Sequence, residues 1–121
     1  MKTLAQIRAA NALKHSKIPA MGLGQKGGDA LSGFPMLIKT AGLLPAAAFA
    51  IEQNSKGGPK QAGAWLIMNA VAEHLKSVNI CKADNAQKLV EELAEARDAA
   101  QLRRATAEAI AYLNYLKRFV A

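Results

Sequence analysis

The chain has a single cysteine, Cys81, among 121 residues, so no disulfide can form within it. That suits a reducing compartment, and cytoplasm is the expected location. Aromatic residues make up only 5% of the sequence, although 51% of it is hydrophobic by a count that includes alanine. A strand-built core draws on aromatic and β-branched residues, so this alanine-rich composition points to closely packed helices. No apolar run is long enough to span a membrane. The longest, Ala41 to Ile51, is about half of the ~20 residues required and contains Pro45. The first residues, MKTLAQIRAANALKHS, lack the continuous apolar segment of a signal peptide. No membrane partner is expected.

Catalytic constellations are missing as well. His15 and His74 stand alone on separate helical segments, and with one cysteine they have no zinc-ligand spacing. A lone helical histidine reads as a surface or hydrogen-bonded polar residue. No serine occupies a nucleophile elbow. Gly22-Leu-Gly24-Gln-Lys-Gly27 matches G-x-G-x-x-G, but the dinucleotide fold needs a strand before that motif. Here a helix and Pro19 precede it. Ser55-Lys-Gly-Gly-Pro59 is a turn without the Gly-Lys-Ser/Thr of a phosphate-binding loop. No enzyme activity, cofactor or metal is expected.

What the sequence has is helix, in one domain over residues 1–121. Six segments are expected, giving an all-α, compact bundle. The first runs from an N-cap at Thr3, with Gln6 completing a capping box, to about Ser16. Its apolar surface is Leu4, Ile7, Ala9, Ala12 and Leu13. The second, DALSGFPMLIKTA, starts at Asp29, carries Pro35 and stops at Gly42; Leu31, Phe34, Leu37, Ile38 and Ala41 form its buried side. The third, PAAAFAIEQN, has Phe49 and Ile51 as core fillers. The fourth, from Lys60 to about Ser77, reads as the central helix through Ala64, Ile67, Met68, Val71 and Leu75, with Asn69, Glu73 and Lys76 on its wet side. The fifth, AQKLVEELAEARDAA, is capped by Asp84 or Asn85 and carries Glu91, Glu92, Glu95 and Asp98 outward. The sixth, Gln101 to Ala121, buries Leu102, Ala105, Ala109, Tyr112, Leu113, Leu116, Phe119 and Val120.

The formal charge is +7 and the sequence pI about 9.8. Met1–Ala83 is basic, Asp84–Ala100 is acidic with five carboxylates against two cations, and Gln101–Ala121 is basic again. Such a balance fits a polyanion ligand and charge-complementary neighbours, and also fits an ordinary solvated lysine-rich surface. The sixth helix carries the strongest functional signal. Arg103, Arg104, Asn114, Tyr115 and Arg118 share its second face with Ala107 and Ala111 between them, Glu108 at the edge and Lys117 alongside. Arginine forks hold phosphate oxygens in pairs, and a tyrosine can stack on a base. The same face would also serve as the plain wet side of a terminal helix. Lys39, Lys14 and Arg8 extend it only if folding brings their helices alongside.

Several stretches together resemble one family. Phe34-Pro35-x-Leu37-Ile38-x-x-x-Gly42-Leu43 is similar to the P-x-x-I-x-x-x-G-L element of the small helical subunit of type III-B CRISPR effector (Cmr) complexes. Arg104-Ala105-Thr106-x-Glu108-Ala109-x-Ala111-x-Leu113-x-Tyr115-Leu116-Lys117-Arg118-Phe119 resembles its C-terminal signature, with Tyr115 where the family commonly has Trp. Arg8-Ala9 and Ala12-Leu13 fit its first helix. The resemblance implies a non-catalytic subunit of an RNA-guided antiviral complex. It would self-associate head-to-tail as a filament beside the backbone and large subunits, and bind target RNA or the guide–target duplex. The nucleic-acid-binding residues it implies are Arg8, Arg104, Lys117 and Arg118, to which Lys39 and Arg103 are added from this sequence. The acidic fifth helix, through Glu92 and Glu95, would face a neighbouring subunit. The alternative is a free-standing basic helical module that binds nucleic acid non-specifically, or an adaptor whose basic surface meets acidic protein.

Overall fold

The computed structural model describes residues 2–18, 29–55, 59–97 and 99–120, with helical residues 29, 30, 32, 54 and 59–62 described by backbone alone. The glycine motif at Gly22–Gly27, the turn glycines Gly57 and Gly58, and Asp98 lie outside the described residues. Among the described residues six helices follow one another: α1 Leu4–Ser16, α2 Asp29–Ala41, α3 Leu43–Ser55, α4 Pro59–Ser77, α5 Ala86–Ala94 and α6 Ala99–Phe119. No strand occurs among the described residues. The fold is all-α, as composition and periodicity predict.

The helix ends follow local chemistry. Thr3 accepts the Gln6 N–H at 3.1 Å, and Gln6 Oε1 accepts the Thr3 N–H at 2.8 Å, completing the capping box. Gly42 closes α2 at φ +99°, donating to Ile38 O at 2.8 Å. A side chain there is strained, which is why glycine holds the position. Asn79, at φ 62°, closes α4. It donates to Lys76 O at 3.1 Å while Ile80 donates to Leu75 O at 3.0 Å, a Schellman arrangement. Asn85 caps α5, its Oδ1 accepting the Lys88 N–H at 2.8 Å. Pro35 sits well inside α2, which continues through it.

α4 is the central helix and packs against each of the other five. It buries Ala64, Ile67, Met68, Ala70, Val71, Ala72 and Leu75. α6 returns along α1, α2 and α4 and buries Ala105, Ala109, Tyr112, Leu113 and Leu116. Its Phe119, expected in the core, is exposed.

Four expectations need correction. The fifth helix ends at Ala94 rather than Ala100, and α6 already begins at Ala99. The Glu95 and Ala96 N–H groups close α5 onto Glu91 O and Leu93 O, and the chain turns so that α6 can return across the core. Asn69 is not a wet residue, because its Oδ1 accepts the Ala86 N–H at 2.7 Å and joins α4 to the start of α5. Phe49 and Ala41 are exposed; Phe49 only tilts against Phe34, with ring centroids 6.4 Å apart. Finally, α1 does not dock through its leucines. Leu4 and Leu13 are exposed, and the residues α1 buries are Ala12 and His15. That points to a polar docking face.

Candidate nucleic-acid interface

Residues spaced i, i+4, i+7, i+11 and i+15 line one side of a helix. On α6 the outward stripe is Arg103, Ala107, Asn114 and Arg118, all exposed, with Arg104 and Lys117 exposed on either flank. From Arg103 to Arg118 it runs about 22 Å at 1.5 Å per residue. Lys39, exposed near the end of α2, lies two residues before Ala41. Among the described residues, none of Lys39, Arg103, Arg104, Lys117 and Arg118 forms an ion pair. The stripe is therefore a row of uncompensated positive charge.

At its N-terminal end the stripe borders a groove of about 580 Å³ between α6 and the α2–α3 junction. Gly42, Leu43 and Pro45 form one wall, and Leu102, Arg103 and Thr106 the other. The two sequence stretches that carry the family resemblance, far apart in the chain, meet here. Arg103 and Arg104 diverge from this point. Arg103 faces the groove, whereas Arg104, on the flank of the stripe, lies toward Cys81. Burial pushes the Cys81 thiol up to about 11, so it stays a protonated core residue.

The remaining part of the expected arginine face is covered. Ala111 and Tyr115 are half-buried and Glu108 is only 6% exposed, because α1 packs over this side of α6. Arg8 reaches across from α1 and grips Glu108 with two parallel bonds, Nε to Oε2 at 2.6 Å and a terminal nitrogen to Oε1 at 2.7 Å. The bond to Glu108 raises the Arg8 pKa further. Of the six basic residues expected at the interface, five point outward and Arg8 is engaged inside the protein.

Glu108 leads into a buried polar cluster that sequence spacing alone did not reveal. His74 Nε2 donates to Glu108 Oε2 at 2.9 Å, and Asn11 Nδ2 meets His74 Nδ1 at 2.9 Å. Asn11 Nδ2 also donates to Ser77 Oγ at 2.8 Å, and Ser77 in turn donates to the His74 carbonyl at 2.8 Å. Because the Ser77 proton is used, Ser77 Oγ must accept from Asn11, which fixes the Asn11 amide as donor. His74 Nδ1 is then an acceptor, and the ring is neutral with its proton on Nε2. His15 repeats the pattern. Its Nε2 meets Glu73 Oε2 at 2.7 Å, and its Nδ1 accepts from the Tyr112 hydroxyl. Tyr112 lies between the two rings, stacked on His74 at 4.5 Å and edge-on to His15 at 5.8 Å. Burial pushes the Tyr112 phenol well above its ordinary value, so the hydroxyl stays a donor. The available signal was polar residues in phase with core positions: Arg8, Asn11 and His15 on α1, and Glu108 and Tyr112 on α6.

The acidic helix also differs from expectation. Glu92 is half-buried and faces inward. It accepts the backbone N–H of Lys82 at 2.9 and 3.1 Å, that of Ala83 at 2.9 Å, and the Gln101 side chain at 2.6 Å. It organises the α4–α5 connection and ties it to α6. The outward carboxylates of α5 are Glu91 and, just past its end, Glu95.

The family model for CRISPR-associated protein Cas_Cmr5 matches residues 4–121. The fold is similar to the crystal structure of a CRISPR-associated Cmr5 family protein from Thermus thermophilus, with a TM-score of 0.71 and 27% sequence identity over 99% of this chain and 96% of that one. No curated protein matches the sequence. With the match covering nearly its whole length, the chain belongs to the Cmr5 family, the small subunit of the type III-B CRISPR Cmr complex.

Proposed function

We propose that this subunit is non-catalytic and binds target RNA, or the guide–target duplex, through the outward stripe of α6, and that copies of it stack as a filament beside the backbone and large subunits of the complex. The observation that carries the RNA reading is the row Arg103, Arg104, Lys117 and Arg118, exposed and without ion pairs among the described residues. A strand laid along about 22 Å of helix meets several phosphates, and small Ala107 and Asn114 between the arginines let the backbone come close. The contact reads charge and shape, so sequence specificity rests with guide–target pairing. Arg8 has a different part in this reading: through Glu108 it sets how α1 lies on α6.

The test is single-stranded RNA binding by the intact protein across a salt series, with Arg103→Ala/Arg104→Ala/Arg118→Ala beside it. Binding by the unaltered protein should fall steeply with salt, and the triple variant should bind at least about tenfold more weakly. Its log–log slope should be shallower by about 0.7 for each phosphate that it no longer engages. Equal affinity and slope in the two proteins would place the RNA contact elsewhere.

A further inference from the structure

α1 is held differently from every other helix. The residues it buries are one alanine and one histidine, whereas its specific contacts are polar: Arg8 to Glu108, Asn11 to His74 and Ser77, and His15 to Tyr112 and Glu73. Its anchoring points on α4 and α6 include two imidazoles, His15 at 3% and His74 at 0% exposure, each holding a hydrogen-bond partner on both ring nitrogens. At His74 the pattern has no room for a second proton. A proton on Nδ1 would face the Asn11 amide, itself a donor committed in that direction by Ser77. A proton on His15 Nδ1 would likewise face the Tyr112 hydroxyl, which would have to turn its own proton away inside the core.

We propose that these contacts form a proton-sensitive clasp, and that mildly acidic solution releases α1 while α2 to α6 remain folded.

The surroundings of each ring set the direction. His74 faces Arg8 and His15 from α1 and Glu108 and Tyr112 from α6. Burial lowers its pKa; the Glu108 bond opposes this, and the charges of Arg8 and His15 add to the lowering. His15 faces Glu73 from α4, Tyr112 from α6 and Lys14 on its own helix, with Lys76 and Asp84 lining the same cleft. Burial lowers its pKa too, Glu73 opposing and Lys14 adding. A histidine whose folded pKa lies below its ordinary 6.5 gives full stability above that value and loses it as pH falls. Each such ring can contribute about tenfold per pH unit below 6.5 to the release equilibrium. Glu108 stays ionised in this range, because the Arg8 and His74 bonds outweigh its burial and hold its carboxyl below the ordinary 4.5. Among the described residues, the side-chain hydrogen bonds that close this cluster over α4 and α6 come from α1. The apolar core of α2 to α6 holds no other buried titratable histidine.

The experiment is amide hydrogen exchange on the intact protein from pH 7.5 to 5.5, corrected for the intrinsic rate. Alongside it, the two histidine ring titrations are followed by NMR. Amides of Ala9 to Lys14 should lose about 10- to 100-fold in protection relative to those of Ile67 to Val71, while both rings titrate below 6.5. In His15→Gln/His74→Gln the relative protection of α1 should stay flat across the same range. Equal loss in α1 and α4 would overturn the proposal, as would rings titrating at 6.5 or above, or an undiminished pH response in the double variant. If the double variant does not fold, the comparison of α1 with α4 in the unaltered protein decides.

Discussion

Glu108 shows how far one carboxylate can organise this protein. It belongs to the C-terminal signature and sits at the edge of the arginine face when α6 is drawn alone. In the folded chain it is 6% exposed and joins α1 to α4 through Arg8 and His74. Removing it leaves the buried His74 Nε2–H and the Arg8 fork without their acceptor. A single-sided deletion of a buried pair costs more than the pair itself contributes, so Glu108→Ala should lower the unfolding free energy by about 3 kcal/mol. Arg8→Ala should cost less, because the Arg8 side chain is 24% exposed and His74 still serves Glu108. Urea denaturation of the two variants at pH 7.5 checks the order. A Glu108→Ala loss smaller than that of Arg8→Ala would mean the carboxylate is not the centre of the cluster.

Among the elements, those with a local signal were legible from sequence. Thr3 with Gln6, Gly42 and Asn85 each mark a helix end by hydrogen-bond or backbone requirements that act within a few residues. The stop of α5 was not legible, since Glu95-Ala-Arg97 contains no glycine or proline and the turn is imposed by the return path of α6. The site divides in the same way. The outward α6 stripe follows from helical period alone, and five of the six basic residues expected at the interface are exposed. The engagement of Arg8 and the inward turn of Glu92 depend on partners 100 and roughly ten residues away, which periodicity does not pair. Glu92 makes a direct test of this tertiary layer. It satisfies the backbone N–H groups of Lys82 and Ala83, in the non-helical stretch between α4 and α5. Glu92→Ala should therefore cost about 1–2 kcal/mol and speed hydrogen exchange at Lys82 and Ala83, with α1 unaffected. Unchanged exchange at those two amides would show that the carboxylate does not hold the connection.

At the scale of the whole molecule, charge is unevenly spread: the outward end of α5 presents Glu91 and Glu95, with Lys88 and Arg97 also exposed near them, while the α6 stripe presents Arg103, Arg104, Lys117 and Arg118. One surface suits polyanion and the other suits basic protein, the two kinds that the proposed stacking calls for. The inward position of Glu92 sharpens the test of the acidic surface, because altering it would disturb folding and assembly together. Glu91 and Glu95 make no such internal side-chain bond among the described residues. Glu91→Lys/Glu95→Lys should leave the melting temperature of the isolated protein nearly unchanged, since exposed charges away from structural contacts seldom shift stability by more than about 0.5 kcal/mol. Association with other copies, or incorporation into a reconstituted Cmr complex, should nevertheless weaken, and more so at low salt, where screening is least. Sedimentation of the complex with and without the charge reversal measures this directly. Full incorporation of the reversed protein at low salt would show that the acidic end of α5 faces solvent in the assembly, and would remove this face from the proposed stacking contact.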